Sequence, residues 1–303
     1  MKLDAREMKI GYPCINLSLP CRSSRTFRLK NYSEEKLIQT VEGNLLCLKQ
    51  ILEYNKQNKI YFFRVTSDLV PFASHPIMEF DWQGYFKKKL IEIGNFIKEN
   101  KMRISMHPGQ YTVLNSPNEK VFENSIKELE YHVDILDLMA LNKTAKVQIH
   151  VGGVYGDKLR SRQRFIERYN NLSDRIKDRL IIENDEKSYK LTDCLFIHKK
   201  TRIPVVFDVY HHKCLNSEES LEEAFSLFIK TWSPDDGPPI IHYSSEHPIK
   251  GKPRHADSID ISHFKDFLKK TKNFDFDIML EIKDKEKSAL EAIRLINHYE
   301  LLK

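Results

Sequence analysis

Eight short apolar or β-branched runs recur along the chain, and stretches with helical spacing lie between them. That alternation restricts the possible folds more than any other feature. The runs are Met8–Tyr12, Ile60–Val65, Arg103–Met106, Lys146–Ile149, Arg179–Ile182, Ile203–Phe207, Pro239–Ile241 and Asp277–Leu280. Across Val121–Leu141, residues Phe122, Ile126, Leu129, Val133, Leu136 and Ala140 step by three or four, which predicts a helix. Leu37, Val41, Leu45, Leu48 and Leu52 do the same across Glu34–Tyr54. Near-continuous apolar strands between helices imply a parallel sheet covered on its faces. Eight such units in 303 residues most economically close into a (β/α)8 TIM barrel. An open doubly wound sheet is the alternative, but no GxGxxG follows the first run. No Gly/Ser linker or low-complexity tract divides the chain, so residues 1–303 read as a single barrel domain.

Composition narrows the class further. Apolar residues make up 41 % and aromatics 11 %, which excludes a disordered or collagen-like chain. No stretch approaches the roughly 18 consecutive apolar residues of a membrane span. The opening MKLDAREMKIGYP has acids where a secretory signal has an apolar core. Cys14, Cys21, Cys47, Cys194 and Cys214 form no CxxC pair, and so sparse a set reads as reduced thiols in a cytoplasmic protein. The net charge of +6 permits a nucleic-acid partner without establishing one. Nothing requires more than a monomer.

The chemistry lies in what ends each run. Met106 is followed by His107, Ile149 by His150, Ile182 by Glu183, Phe207 by Asp208, Ile241 by His242 and Leu280 by Glu281. A single strand-end His or Asp is ordinarily a cap, but six such placements are hard to produce by capping. In a barrel these positions converge at one mouth. Imidazoles and carboxylates gathered there need compensation for lost solvation, and divalent ions such as Zn²⁺ or Mn²⁺ supply it. His211, three residues after Asp208, and His255, in KPRHAD, extend the set, as does His75 in PFASHP. His132, His198, His263 and His298 fall in helical patterns or outer segments and read as structural; His212 and His247 stay open, with an orienting role conceivable for either.

Nine donors exceed what one tetrahedral ion needs, so two or three ions sharing carboxylates is the natural inference. Such a mouth suits phosphodiester hydrolysis, with one ion polarising the phosphoryl oxygen and another generating hydroxide. Metal-dependent sugar isomerases or epimerases place similar donors on the same barrel and form one alternative; a non-catalytic damage-binding protein is another, although it has no use for nine ligands. The loops favour DNA. Arg22, Arg25, Arg28 and Lys30 lie in an acid-free stretch, Lys158, Arg160, Arg162, Arg164 and Arg168 follow the fourth run, and Lys250, Lys252 and Arg254 precede His255. Basic groups beyond an acidic mouth fit a polyanion held by its phosphates. In HPGQY, Gly109 permits a sharp turn that leaves Gln110 and Tyr111 beside the site, placed to fill the gap left by extruded bases.

These segments resemble the UV DNA damage endonuclease (UVDE) family. The matching motifs, in order, are GYPCINLSL, PFASHP, SMHPGQY, HVGGVYG, IIENDE, PVVFDVYHH, HYSSEHP and MLEIKDKE, from residue 8 to about 287. The resemblance implies a TIM barrel related to endonuclease IV, with two or three divalent ions, Mn²⁺ preferred and Zn²⁺ or Mg²⁺ possible. It implies incision of damaged double-stranded DNA 5′ to cyclobutane pyrimidine dimers, 6-4 photoproducts and some other lesions such as abasic sites, leaving a 3′-hydroxyl and a 5′-phosphate. By motif, the metal ligands are His75, His107, His150, Glu183, Asp208, His211, His242, His255 and Glu281. By analogy with endonuclease IV, Glu183 bridges, Asp208, His242 and Glu281 complete a second position, and His211 and His255 serve a third; Glu183, Asp208, His242 and Glu281 are the catalytic set. Gln110 and Tyr111 match the probing pair, and Tyr12 and Asn16 the groove that receives flipped nucleotides. One position departs: the family lysine two residues before His242, which can be carboxylated to assist metal binding, is Ile240 here. The expected location is the cytoplasm, with nucleoid association through DNA.

Overall fold

Each apolar run becomes a strand of four or five residues, and polar side chains set where the intervening helices begin. The computed structural model describes residues 8–216, 218–245 and 255–300. The first half contains β1 (Ile10–Pro13), α1 (Glu34–Gln57), β2 (Phe62–Val65), α2 (Trp82–Glu99), β3 (Arg103–Met106), α3 (Glu119–Leu138) and β4 (Lys146–His150). There follow α4 (Lys158–Asn170), α5 (Asp174–Lys177), β5 (Leu180–Glu183), α6 (Leu191–Thr201), β6 (Val205–Asp208), α7 (Val209–Cys214) and α8 (Leu221–Phe228). The chain ends with β7 (Ile240–Tyr243), α9 (Ile261–Thr271), β8 (Asp277–Leu280) and α10 (Glu286–Glu300). All eight strands pair in parallel with their sequence neighbours, and β8 returns to β1 to close the barrel. The eight-unit reading holds.

Caps explain the helix starts. Ser33 accepts from the Lys36 N–H, Asp81 from Gly84, Asn118 from Lys120 and Val121, and Asp157 from Arg160. The cap at Asn118 starts α3 two residues before the periodic pattern, and the left-handed Ala140 (φ 51°) stops it short of Leu141.

Two apolar layers result. The larger packs helices onto the outer face of the sheet, through residues such as Leu37, Val41 and Leu45 on α1, Leu90 on α2 and Phe264 on α9. The smaller fills the barrel with Phe62, Ile181, Val206, Ile240 and Met279. Side chains two residues apart on a strand share a face. Each inner apolar residue is therefore followed, one step toward the mouth, by Arg64, Glu183, Asp208, His242 or Glu281. The opposite end is closed by buried ion pairs, Arg103 with Asp277 at 2.7 Å and Lys146 with Asp236 at 2.5 Å.

The cysteine expectation needs correction. Cys21 and Cys47 form a disulfide, leaving Cys14, Cys194 and Cys214 outside any disulfide. The loop after β1 folds back along α1 and brings the pair together across a separation of 26 residues, which no short spacing motif reveals. No helix among the described residues is long and apolar enough to cross a membrane.

Candidate metal centre and DNA-facing loops

The mouth is assembled by register. His150 pairs with Glu183 across β4 and β5, and Asp208 pairs with His242 across β6 and β7, so donors from separate strands share a level. Seven of the nine expected ligands form three groups joined through Glu183: His107, His150 and Glu183; Glu183, Asp208 and His211; and Glu183, His242 and Glu281. His255 stands at their edge, its Nε2 3.9 Å from Glu281 Oε2. His75 lies outside the groups on an exposed turn, where its Nδ1 accepts the Ile77 N–H at 3.1 Å.

The donor set fits divalent ions. His107 Nε2 and His150 Nε2 stand 3.9 and 3.7 Å from Glu183 Oε2, too far for hydrogen bonds. Those gaps match two donors each about 2.0–2.2 Å from a shared ion. Oδ2 of Asp208, in the second group, is buried without a hydrogen-bond partner. Such orphaned atoms are costly unless something else satisfies them. His211 is held through Nδ1, 3.0 Å from the Asn184 carbonyl, which leaves Nε2 as its open nitrogen, 3.7 Å from Glu186 Oε2.

Electrostatics prepares the centre. Burial alone would raise the Glu183 carboxyl, but His242, His150 and His211 outweigh it and hold it well below the usual range. Glu281 is likewise held low, by Arg64 and His242 against the effect of burial. Asp208 is pushed up to about 6 by burial. Burial, with Arg64 and His150 nearby, pushes His107 down to about 3 and leaves the ring neutral, with one nitrogen lone pair for an ion. Burial would depress His211 too, yet Asp208, Glu183 and Glu281 raise it to about 9.

Several site residues escape the strand-end pattern. Arg64 projects from β2 into the mouth, donating to Glu281 Oε1 at 2.7 Å, and lies 2.8 Å from His242 Nε2. Gln148 on β4 donates to Glu183 Oε2 at 2.7 Å. Asn184 joins in through the Asp208 backbone, accepting its N–H and donating to its carbonyl. A signal existed: Arg64 and Gln148 are polar interruptions inside apolar runs, in phase with the inward face.

The loops divide. Gln110 and Tyr111 are exposed beside His107, and the Tyr111 ring folds over Gly109, where an added Cβ would stand only 2.4 Å from Tyr111 Cε1. That close approach is what glycine permits. Tyr12 and Asn16 do not line an open groove. Tyr12 is fully buried and Asn16 nearly so; the Tyr12 hydroxyl donates to Asn55 at 2.7 Å and accepts from Asn16 at 2.8 Å. Their side chains tie the loop after β1 to α1, since Asn16 also accepts the Ser18 N–H.

The basic clusters are corrected in part. Lys158 and Arg162 pair with Asp193, Arg164 donates to the Asn115 carbonyl, and Arg168 donates to the Leu114 and Ser116 carbonyls. These side chains fasten α4 internally, and Arg160 remains exposed. Arg22, Arg25, Arg28 and Lys30 are all exposed to solvent on the loop after β1. Lys250, Lys252, Arg254 and His247 lie outside the described residues. His132 is buried against the Glu128 carbonyl and Ser67, as a structural histidine should be.

The family model described as "UV-endonuclease UvdE" matches residues 8–303. The chain belongs to that family. A UV DNA damage endonuclease of Clostridium perfringens (strain 13 / Type A) is 46% identical over 288 residues, covering 94% of this chain and 70% of that protein. One from Bacillus thuringiensis subsp. konkukian (strain 97-27) is 36% identical, covering 95% and 94% of the two chains. The crystal structure of SacUVDE superposes with a TM-score of 0.93 at 45% identity, covering 97% of this chain and 99% of that one. Endonuclease IV from Thermus thermophilus, with a TM-score of 0.59 at 13% identity over 85% of this chain and 95% of that one, shares the fold. As a family member, the enzyme is an endonuclease acting on DNA, and the strand-end cluster is its candidate centre.

Proposed function

We propose that this UvdE-family enzyme incises duplex DNA immediately 5′ to UV photoproducts, and also at some abasic sites, leaving a 3′-hydroxyl and a 5′-phosphate. The observation that carries the reading is the Glu183-centred cluster of buried donors, with ion-sized gaps, opening beside exposed Gln110 and Tyr111. In place of the partition that the endonuclease IV analogy implies, the spacing favours two ions held by His107, His150, Glu183, Asp208 and His211, with Glu183, His242 and Glu281 as a third position; His75 and His255 are outer candidates. Divalent ions held there, Mn²⁺ by preference, would supply Lewis acidity and hydroxide at neutral pH.

The chain's own groups do the rest. Arg22, Arg25, Arg28 and Lys30 attract the phosphate backbone. Gln110 and Tyr111 enter the stack at the lesion, where poor pairing and stacking make extrusion less costly. Tyr12 and Asn16 keep the loop after β1 in place from behind. Recognition then depends on deformability rather than on base edges.

Mixing the purified protein with Mn²⁺ and UV-irradiated supercoiled plasmid, beside an unirradiated control, tests the reading. Lesion-dependent nicking that EDTA blocks is expected. Binding without cleavage would replace it with a damage sensor, and inertness toward DNA would favour sugar chemistry on this barrel. The cell compartment and a monomeric state are expectations that fractionation and light scattering check.

A further inference from the structure

The three donor groups are not equivalent, and Arg64 makes the difference. Arg64 is buried, and its guanidinium carries only donors. Its Nη1 takes Glu281 Oε1 at 2.7 Å, and its Nη2 stands 2.8 Å from His242 Nε2 and 3.2 Å from Gln148 Oε1. His242 Nε2 must therefore be the acceptor, which places the ring proton on Nδ1. That proton points at Glu183 Oε1, 2.8 Å away, with Glu281 Oε1 at 3.3 Å. In the group around His107 and His150 the spacings to Glu183 are 3.9 and 3.7 Å, and in the second group Asp208 Oδ2 is buried with no hydrogen-bond partner. The first two groups stand open, whereas the third is drawn together by hydrogen bonds.

An ion entering the third group meets two obstacles. At His242 both ring nitrogens are already engaged, Nδ1 with Glu183 Oε1 at 2.8 Å and Nε2 with Arg64 at 2.8 Å, so neither is open to it. At Glu281 it must share an oxygen that the guanidinium already holds. We propose that Arg64 occupies the cation position of the Glu183–His242–Glu281 group and competes with an ion for it, so this position fills last and most weakly. Arg64 is thus a positioning residue that ranks the ion positions. The inference rests on the metal-centre reading above and adds the order of loading.

The test is Mn²⁺ titration by calorimetry with the full chain, read as affinity and stoichiometry rather than as activity. In the unaltered protein, two tight ions and a third bound about ten-fold more weakly or worse are expected from one added positive charge at this range. Arg64→Gln should bring the third affinity up to the other two, and Arg64→Lys should keep it weak. Three equal affinities in the unaltered protein, or a third affinity unmoved by Arg64→Gln, would overturn the proposal while leaving the metal centre standing. Binding of no ion at all would remove both. Should Arg64→Gln not fold, crystals of the unaltered protein at rising Mn²⁺ decide: anomalous signal first in the third group sinks the idea, and signal there last supports it.

Discussion

Gln148 bridges Glu183 and Arg64: its Nε2 donates to Glu183 Oε2 at 2.7 Å, and its Oε1 accepts from Arg64 Nη2 at 3.2 Å. One neutral amide thus fixes both the shared carboxylate and the internal cation. Gln148→Leu removes both bonds with little change of volume. Mn²⁺ affinity should fall about 10–100-fold, the usual effect of losing an outer partner of a ligand. A titration showing unchanged affinity would show that Glu183 needs no such support.

Glu183 takes part in all three groups, so its charge is hard to replace. Glu183→Gln should lower incision of irradiated plasmid about 10³-fold or more while lesion-DNA binding stays largely intact. Full cleavage by this variant would remove Glu183 from the centre.

Tyr111 is 66% exposed and lies next to the His107 loop. Tyr111→Ala should weaken binding to lesion duplex by about 1–3 kcal/mol, the range for one aromatic–base stack. Undamaged duplex should be affected less. Equal losses in a competition assay would refute the probing role.

His211 titrates near 9 in the ion-free protein because its three carboxylate neighbours outweigh burial. A raised folded value contributes stability that is fully present below the ordinary histidine range of about 6.5 and lost as pH rises through 9. Ion-free protein should therefore lose stability between those limits. Loading at about pH 7.5 should release about one proton from His211, since a ligand must give up its proton. Calorimetry in buffers of different ionisation enthalpy reads this directly, and a null proton count would exclude His211 as a ligand.

Arg168 and Arg28 look alike in sequence and differ in the fold. Arg168 stacks on Phe122, 4.0 Å to its ring centroid, and pairs with Glu119 at 2.7 Å, as well as serving two carbonyls. Arg168→Ala should cost about 2 kcal/mol of stability by stranding those acceptors, with the salt dependence of DNA binding unchanged. Arg28→Ala should leave stability alone and lower the salt slope by about one. The reverse pattern would place α4 on the DNA.

Much of this protein is written locally in its sequence. Strand periodicity is a nearest-neighbour property, and so is the position just past each strand; together they suffice for a closed barrel with His107, His150, Glu183, Asp208, His242 and Glu281 at one mouth. Short motifs likewise mark Gln110 and Tyr111. What the chain alone did not disclose depends on partners distant in sequence. Cys21 meets Cys47 only when the loop after β1 folds along α1. Tyr12 packs in the layer against α1, where Asn55, on that same helix, offers its hydroxyl an acceptor. Arg168 is spent on carbonyls 52 and 54 residues away. Arg64 reaches His242 across 178 residues, inside a barrel whose low dielectric makes each unpaired charge expensive. Local pattern selects the architecture because backbone geometry repeats; which charge neutralises which other is settled by three-dimensional proximity, and that exists only after closure.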